Sequence, residues 1–126
     1  MVDLTLERPG DHLFIRSVGE EGIQVVDDWH TRSIVVGVQR LIADWAPGSA
    51  SDIEAEHLGI IFELQPEVVI VGTGQRQHFL APELQMAFLG RGIGVEFMAT
   101  RAACRTFNIL VSEGRNAAAA LIPPNA

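Results

Sequence analysis

Two backbone features of this chain are suited to holding a negative charge. The first is Gly72-Thr73-Gly74, which directly follows the apolar run Val68-Val-Ile-Val71. The second is the start of a helix at Thr100. Glycines let a ligand approach the backbone closely, and the first turn of a helix carries free N–H groups and a partial positive charge. Arg76, His78 and Arg101 stand nearby in sequence. If strands 68–71 and 93–98 run parallel, both features fall on one edge of the sheet, where open α/β sheets bind their ligands. Gly72, Thr73, Gly74, Arg76, Thr100 and Arg101 are therefore the candidate ligand-binding residues, and a small anion or phosphate is the ligand they suit. The competing reading is a plain turn after a buried strand. Gln77 stands where a dinucleotide-binding fingerprint has its third glycine, and no Gly-Lys-Ser/Thr follows to make a P-loop.

Other groups offer less. Glu54 and His57 have the spacing of one half of a carboxylate di-metal site, but the matching half is absent and His57 lies on an apolar stripe, as a core or interface histidine would. Asp27, Asp28 and His30 are the residue types of a metal site, yet they also suit a solvated turn. Cys104 falls in the first turns of a helix beside Arg105, where a thiolate gains some stabilisation. No histidine neighbours it to act as base, so a packed thiol is the expectation. No serine has the flanking glycines of a nucleophile elbow. The expected site thus has no catalytic residue, no metal ligand and no cofactor.

These residues need elements to position them. His12–Val18 reads as a strand, Gly19–Gly22 as a turn and Ile23–Val26 as a second strand, making a hairpin. Asp27-Asp28 reads as another turn. Ser33–Gly37 is β-branched and apolar, a third strand, and Val38–Trp45 extends it or adds a fourth. Ser51 followed by Glu54 has the capping-box pattern, and Ile53, His57, Ile60, Ile61 and Leu64 recur at helical spacing over about three turns. The unbroken run Val68–Val71 suits a parallel strand covered on both faces. Pro82 opens a helix with Leu84, Ala87 and Phe88 inward, and Ile93–Phe97 alternates as a strand. A third helix runs from Thr100 to Gly114, with Ala103, Phe107, Leu110 and Val111 inward and Arg101, Arg105, Asn108 and Ser112 on the opposite face. Asn116–Ile122 reads as a final strand, since a helix has just ended and Pro123-Pro124 follows. The alternation predicts an α/β fold with a mixed sheet, N-terminal antiparallel strands and about three helices.

Composition bounds the class. With 126 residues, 48% hydrophobic and 20% charged, the chain can bury one core. Residues 1–11 are expected as a flexible lead-in, 12–122 as a single α/β domain and 123–126 as a tail. Nine basic residues against sixteen acidic ones give a net charge of −7, which works against a nucleic-acid surface. The arginines lack the aromatic interleaving that single strands require. One cysteine allows no internal disulfide and fits a reducing compartment. The start has no basic segment followed by an apolar one, so it does not read as a signal peptide, and no apolar run reaches the roughly 20 residues of a membrane helix. A soluble, cytoplasmic protein is expected.

The strand ending in Gly72-Thr73-Gly74, the proline-started helix, and Thr100, Ala103, Arg105, Thr106, Phe107, Asn108, Leu110, Glu113, Gly114, Arg115 with the alanine-rich end resemble the mitochondrial complex I assembly factor 3 family, which has small bacterial and archaeal members. Trp45 is similar too, while Phe107 stands where tyrosine is common. The resemblance covers residues 12 to 122. It implies a three-layer α/β domain and a non-enzymatic assembly role through a protein partner, and it carries no catalytic residues over. Without a presequence the chain does not read as a mitochondrial precursor. The alternative is a small enzyme or sensor binding an anionic or phosphate-containing ligand at the Gly72–Gly74 and Thr100 crevice.

Overall fold

The computed structural model describes residues 3–5 and 11–126. The first half of the chain supplies β1 (Asp3–Thr5), β2 (Ile15–Gly19), β3 (Gly22–Val25), β4 (Asp28–His30), β5 (Ile34–Val36) and β6 (Arg40–Ile42). The second half supplies α1 (Gly59–Phe62), β7 (Val68–Gly72), α2 (Pro82–Leu89), β8 (Gly94–Met98), α3 (Thr100–Ser112) and β9 (Ala117–Leu121). Six strands form the main sheet in the order β1-β6-β5-β9-β7-β8, and β2-β3-β4 form a separate antiparallel sheet. The α/β class and the mixed central sheet are as expected.

The main sheet is antiparallel on one side and parallel on the other. β9 joins the halves, pairing antiparallel with β5 (Ile34 opposite Leu121) and parallel with β7 (Val68 opposite Ala117). β7 also pairs parallel with β8. Val69, Ile70 and Val71 are buried, because β7 has strands on both sides and covered faces; Val68 is only partly buried. Alternate side chains feed two cores. Ile70, Ala117, Ala119 and Leu121 pack with Ala103, Cys104, Phe107 and Val111 of α3 and with Ile15, Ile23 and Val25 of the small sheet. Val69, Val71, Ala118 and Ala120 pack with Leu58, Ile61, Leu84 and Phe88 on the opposite face. The result is three layers: α3 with the small sheet, the main sheet, then α1 and α2.

Several expectations change here. The hairpin of β2 and β3 does not join the central sheet. It gains β4 and packs beside α3 in the same outer layer. The second turn sits at Val26-Asp27, with Val26 at φ 53, so Asp28 begins a strand and is not part of the turn. The helix expected from Ile53 is broken into two 3-10 turns, Ala50–Asp52 and Ala55–His57, followed by the short α1. The capping box is real but shifted. Glu54, not Ser51, is the cap, and its backbone N–H donates to His57 Nδ1 at 2.9 Å. Within the expected lead-in, Asp3–Thr5 forms β1 on the open side of β6. Residues 1–2 and 6–10 of that segment lie outside the described residues.

Asn108 fixes how the small sheet sits on α3. It accepts the Ile15 N–H through Oδ1 and donates to the Ile15 carbonyl through Nδ2, both at 2.8 Å. β2 is an outer strand of the small sheet and Val26 N–H donates to Phe14 O, so by alternation Ile15 turns its backbone groups away from β3, where Asn108 takes them. Asn108→Ala is expected to destabilise by about 1–2 kcal/mol, since two partly buried backbone groups lose their partner. Urea denaturation followed by tryptophan fluorescence measures it. An unchanged midpoint would mean that water replaces the amide without loss.

Candidate functional site

The crevice is built by the carboxyl end of β7 and the start of α3. The parallel register carries Gly72 to Met98, so the next residues of both strands emerge on one edge. Gly72 is a glycine because α3 crosses directly over it. An added Cβ would stand 2.9 Å from Leu121 Cδ2, 3.0 Å from Thr100 Oγ1 and 3.1 Å from Thr100 Cα. Gly74 has φ +97, and its Cβ would meet the Ala126 carbonyl oxygen at 2.5 Å.

Gly72, Thr73, Gly74 and Thr100 therefore converge as expected. Their backbone donors, however, are used within the chain. Thr73 N–H donates to Met98 O at 2.9 Å, Gly74 N–H to Thr100 Oγ1 at 2.9 Å, and Thr100 N–H to Gly74 O at 2.9 Å. The Thr100 hydroxyl in turn donates to Ile122 O at 2.7 Å, and Thr100 is fully buried. Thr73 Oγ1 bridges the Arg76 and Met98 carbonyls and accepts the His78 N–H. The expectation that these amides are unpaired does not hold, because loop, helix and tail satisfy one another. The arginines do not converge with them. Arg76 is exposed, and Arg101 Nη1 donates to Val18 O on the small sheet, 3.1 Å away.

The expected tail belongs to the same knot. Residues 123–126 make a turn, with Ala126 N–H donating to Pro123 O, and fold over the glycine loop. Gln75 donates from its backbone to Ala126 O at 3.1 Å and from Nε2 to Asn125 O at 2.9 Å. Beside it opens a cleft of about 370 Å³ lined by Ser49, Ser51, Thr73, His78, Phe79 and Ala126, among others.

Sequence reading missed the parts played by Thr100 and the tail. The cap position falls on Ala99, which has no capping group, and Thr100 just inside the helix bonds to Gly74 and Ile122 instead.

Of the other candidates, His57 and Asp27 have structural partners, while His30 Nε2 is buried with no hydrogen-bond partner among the described residues. His57 accepts the Glu54 N–H, stacks edge-on to Trp45, and its carbonyl accepts Trp45 Nε1–H at 3.0 Å. Asp27 is exposed and pairs with Arg16 at 3.5 Å. Asp28 and His30 lie on β4. Among the described residues, no group of three or more His, Cys, Asp or Glu side chains is placed to hold a metal ion. No helix among them is long and apolar enough to cross a membrane.

Cys104 is buried under α3. Burial pushes its thiol up to about 12, against the smaller opposing pull of Arg105 and then Arg101. At neutral pH it is a thiol, and a thiol reagent is expected to leave the native protein unlabelled. The ordinary value is 9.0, so between 9.0 and about 12 the unfolded chain binds fewer protons than the folded one. Stability is then fully present below pH 9 and falls as pH rises, by about 1.4 kcal/mol per unit from this group. Between pH 8 and pH 10 this group should therefore cost about 1.4 kcal/mol in all, read by denaturation at the two values, and Cys104→Ala should remove that share. An equal slope in the variant would assign the loss to other groups.

The model of the family described as "Protein of unknown function (DUF498/DUF598)" matches residues 15–122. The chain belongs to this family. Among its relatives, the NADH dehydrogenase [ubiquinone] 1 alpha subcomplex assembly factor 3 of Bos taurus is 40% identical over 111 residues, covering 79% of this chain and 60% of the relative. The chain spans between half and two thirds of the length of the first curated relatives it matches. A crystal structure of a Bordetella parapertussis protein superposes with a TM-score of 0.85 at 38% identity, covering 92% of this chain and 99% of that one. A solution structure from Bordetella pertussis, described as a Mth938-like domain, gives 0.81 at 31% identity and covers 96% and 91% of the two chains. The chain therefore shares the α/β fold of these two Bordetella structures.

Proposed function

We propose that this chain is a non-enzymatic binding or assembly factor that docks a protein partner on the outer face of α2. One observation carries the reading. α2 is apolar on both sides: Leu84 and Phe88 face the core, while Met86 is 64% and Leu89 is 59% exposed. Phe79, just before the helix, is 72% exposed. A helix whose outer face is apolar suits a partner better than water. The assembly-factor names of its relatives support the same class of role. A reducing, cytoplasmic setting fits the single buried thiol.

A photo-crosslinker placed at position 86 in the native cell is expected to give a discrete protein adduct, and Leu89→Glu should abolish it. The same probe at the exposed Glu113 should give none. Equal labelling from both positions would sink the reading.

A second reading is favoured by the cleft beside Thr73. There the chain is a small enzyme or sensor for an anionic ligand held at Gly72, Thr73, Gly74, Arg76, Thr100 and Arg101. Binding would displace in-chain hydrogen bonds of Thr73, Gly74 and Thr100, so affinity would be weak and would fall with salt. Titration with phosphate and nucleotides should move the amides of residues 72–76 and 100–103. Silent amides would leave the crevice a structural knot.

A further inference from the structure

β8 is the outer strand of the main sheet, and only part of its outer side is closed. Gly94 N–H donates to Glu67 O, and Met98 O accepts from Thr73 N–H, so residues 94, 96 and 98 face β7. By alternation, residues 93, 95 and 97 turn their backbone groups outward. Both ends of that outer row are capped. Ile93 N–H donates to Phe88 O at 3.0 Å, and Phe97 O accepts Gln77 Nε2–H at 2.8 Å. Between the caps, Ile93 C=O, both groups of Val95 and Phe97 N–H have no hydrogen-bond partner among the described residues. An edge left open in this way is a template for one more strand.

The side chains along the edge state what that strand should carry. Val95 and Phe97 belong to the apolar cluster on the α2 side, and the exposed Phe79 ring stands edge-on to Phe97 at 5.8 Å. On the other face Glu96 is exposed and has no ion pair among the described residues. An added strand would thus place apolar side chains beside Val95, Phe97 and Phe79, and a basic one opposite Glu96. A second copy of this chain is a poorer occupant, since each copy carries −7 and its own β8 brings another glutamate.

We propose that the β8 edge takes up an extended segment of a partner protein, with alternating apolar and basic residues, as a seventh strand of the main sheet. The proposal rests on the assembly-factor reading above and names a second contact for the same partner.

The probe is an acetylated heptapeptide alternating lysine and valine, with a glutamate–valine peptide as its control. Hydrogen exchange is read at the Val95 and Phe97 amides. The lysine peptide is expected to slow both by about tenfold or more, while the glutamate peptide leaves them unchanged. Glu96→Lys should reverse that preference. Val95→Pro removes an outward N–H and a half-buried side chain at the sheet edge; the fold is expected to survive it, checked by circular dichroism, and protection of the Phe97 amide should be lost. Three results would each overturn the proposal: unprotected amides at saturating lysine peptide, protection that persists in folded Val95→Pro, or sedimentation showing a dimer closed through this edge. Should the peptide fail while the crosslink at position 86 still depends on Leu89, strand addition alone falls and the α2 docking reading stands.

Discussion

Phe107→Ala is expected to destabilise the protein by about 3–5 kcal/mol, the usual cost of removing a fully buried ring. Phe107 has no exposed surface and shares a core with Ile15, Val25, Ile70 and Ala119. That core joins α3, the main sheet and the small sheet. β9 brings Ala117, Ala119 and Leu121 to this core, and the alanines cannot swing into the space, so much of the cavity persists. Urea denaturation measures the loss. A change below about 1 kcal/mol would show that the layers collapse onto the gap, and with it that the core is far softer than a close-packed interior.

Thr100→Val should cost about 2–5 kcal/mol although it keeps the shape of the side chain. The hydroxyl accepts from Gly74 N–H and donates to Ile122 O, and each buried group left without a partner costs about 1–3 kcal/mol. Thr100→Ser keeps the hydroxyl and should restore most of the loss. Hydrogen exchange adds a local readout: the Gly74 amide should exchange faster in the valine variant than in the serine variant. Equal exchange in both would mean that another acceptor takes the amide, and the knot would then contribute little.

How far the chain could be read in advance depended on where each signal came from. Val68–Gly72 was legible because an unbroken apolar run has no side suited to water, and Ala117–Leu121 because a helix had just ended and two prolines follow; both strands are covered on both faces. α3 was legible because Ala103, Phe107 and Val111 recur at helical spacing. The segment after Trp45 was not. Its apolar spacing suited a helix, but Glu54 and His57 close a tight turn on each other and Trp45 holds the His57 carbonyl, so contacts distant in sequence outweighed local periodicity. Asn108 was assigned to the outer face for a related reason. A polar residue opposite the apolar stripe reads as solvated unless a second sheet is known to lie there. The crevice was half legible. Glycine spacing brought the loop to the helix start, but nothing in that spacing reveals that the donors bond to one another and to the tail.

The place of β9 bears on how the protein is made. Synthesis delivers β5, β6 and β7 long before Ala117–Leu121, yet β5 and β7 meet only through that strand. Until it emerges from the ribosome the main sheet is two unjoined pieces, each with an open apolar strand on its inner side. Pairings so distant along the chain are slow to form, and exposed strands of this kind aggregate. Folding therefore waits on five residues, four of them alanine, and a nascent chain stalled before position 117 would be one that chaperones must hold.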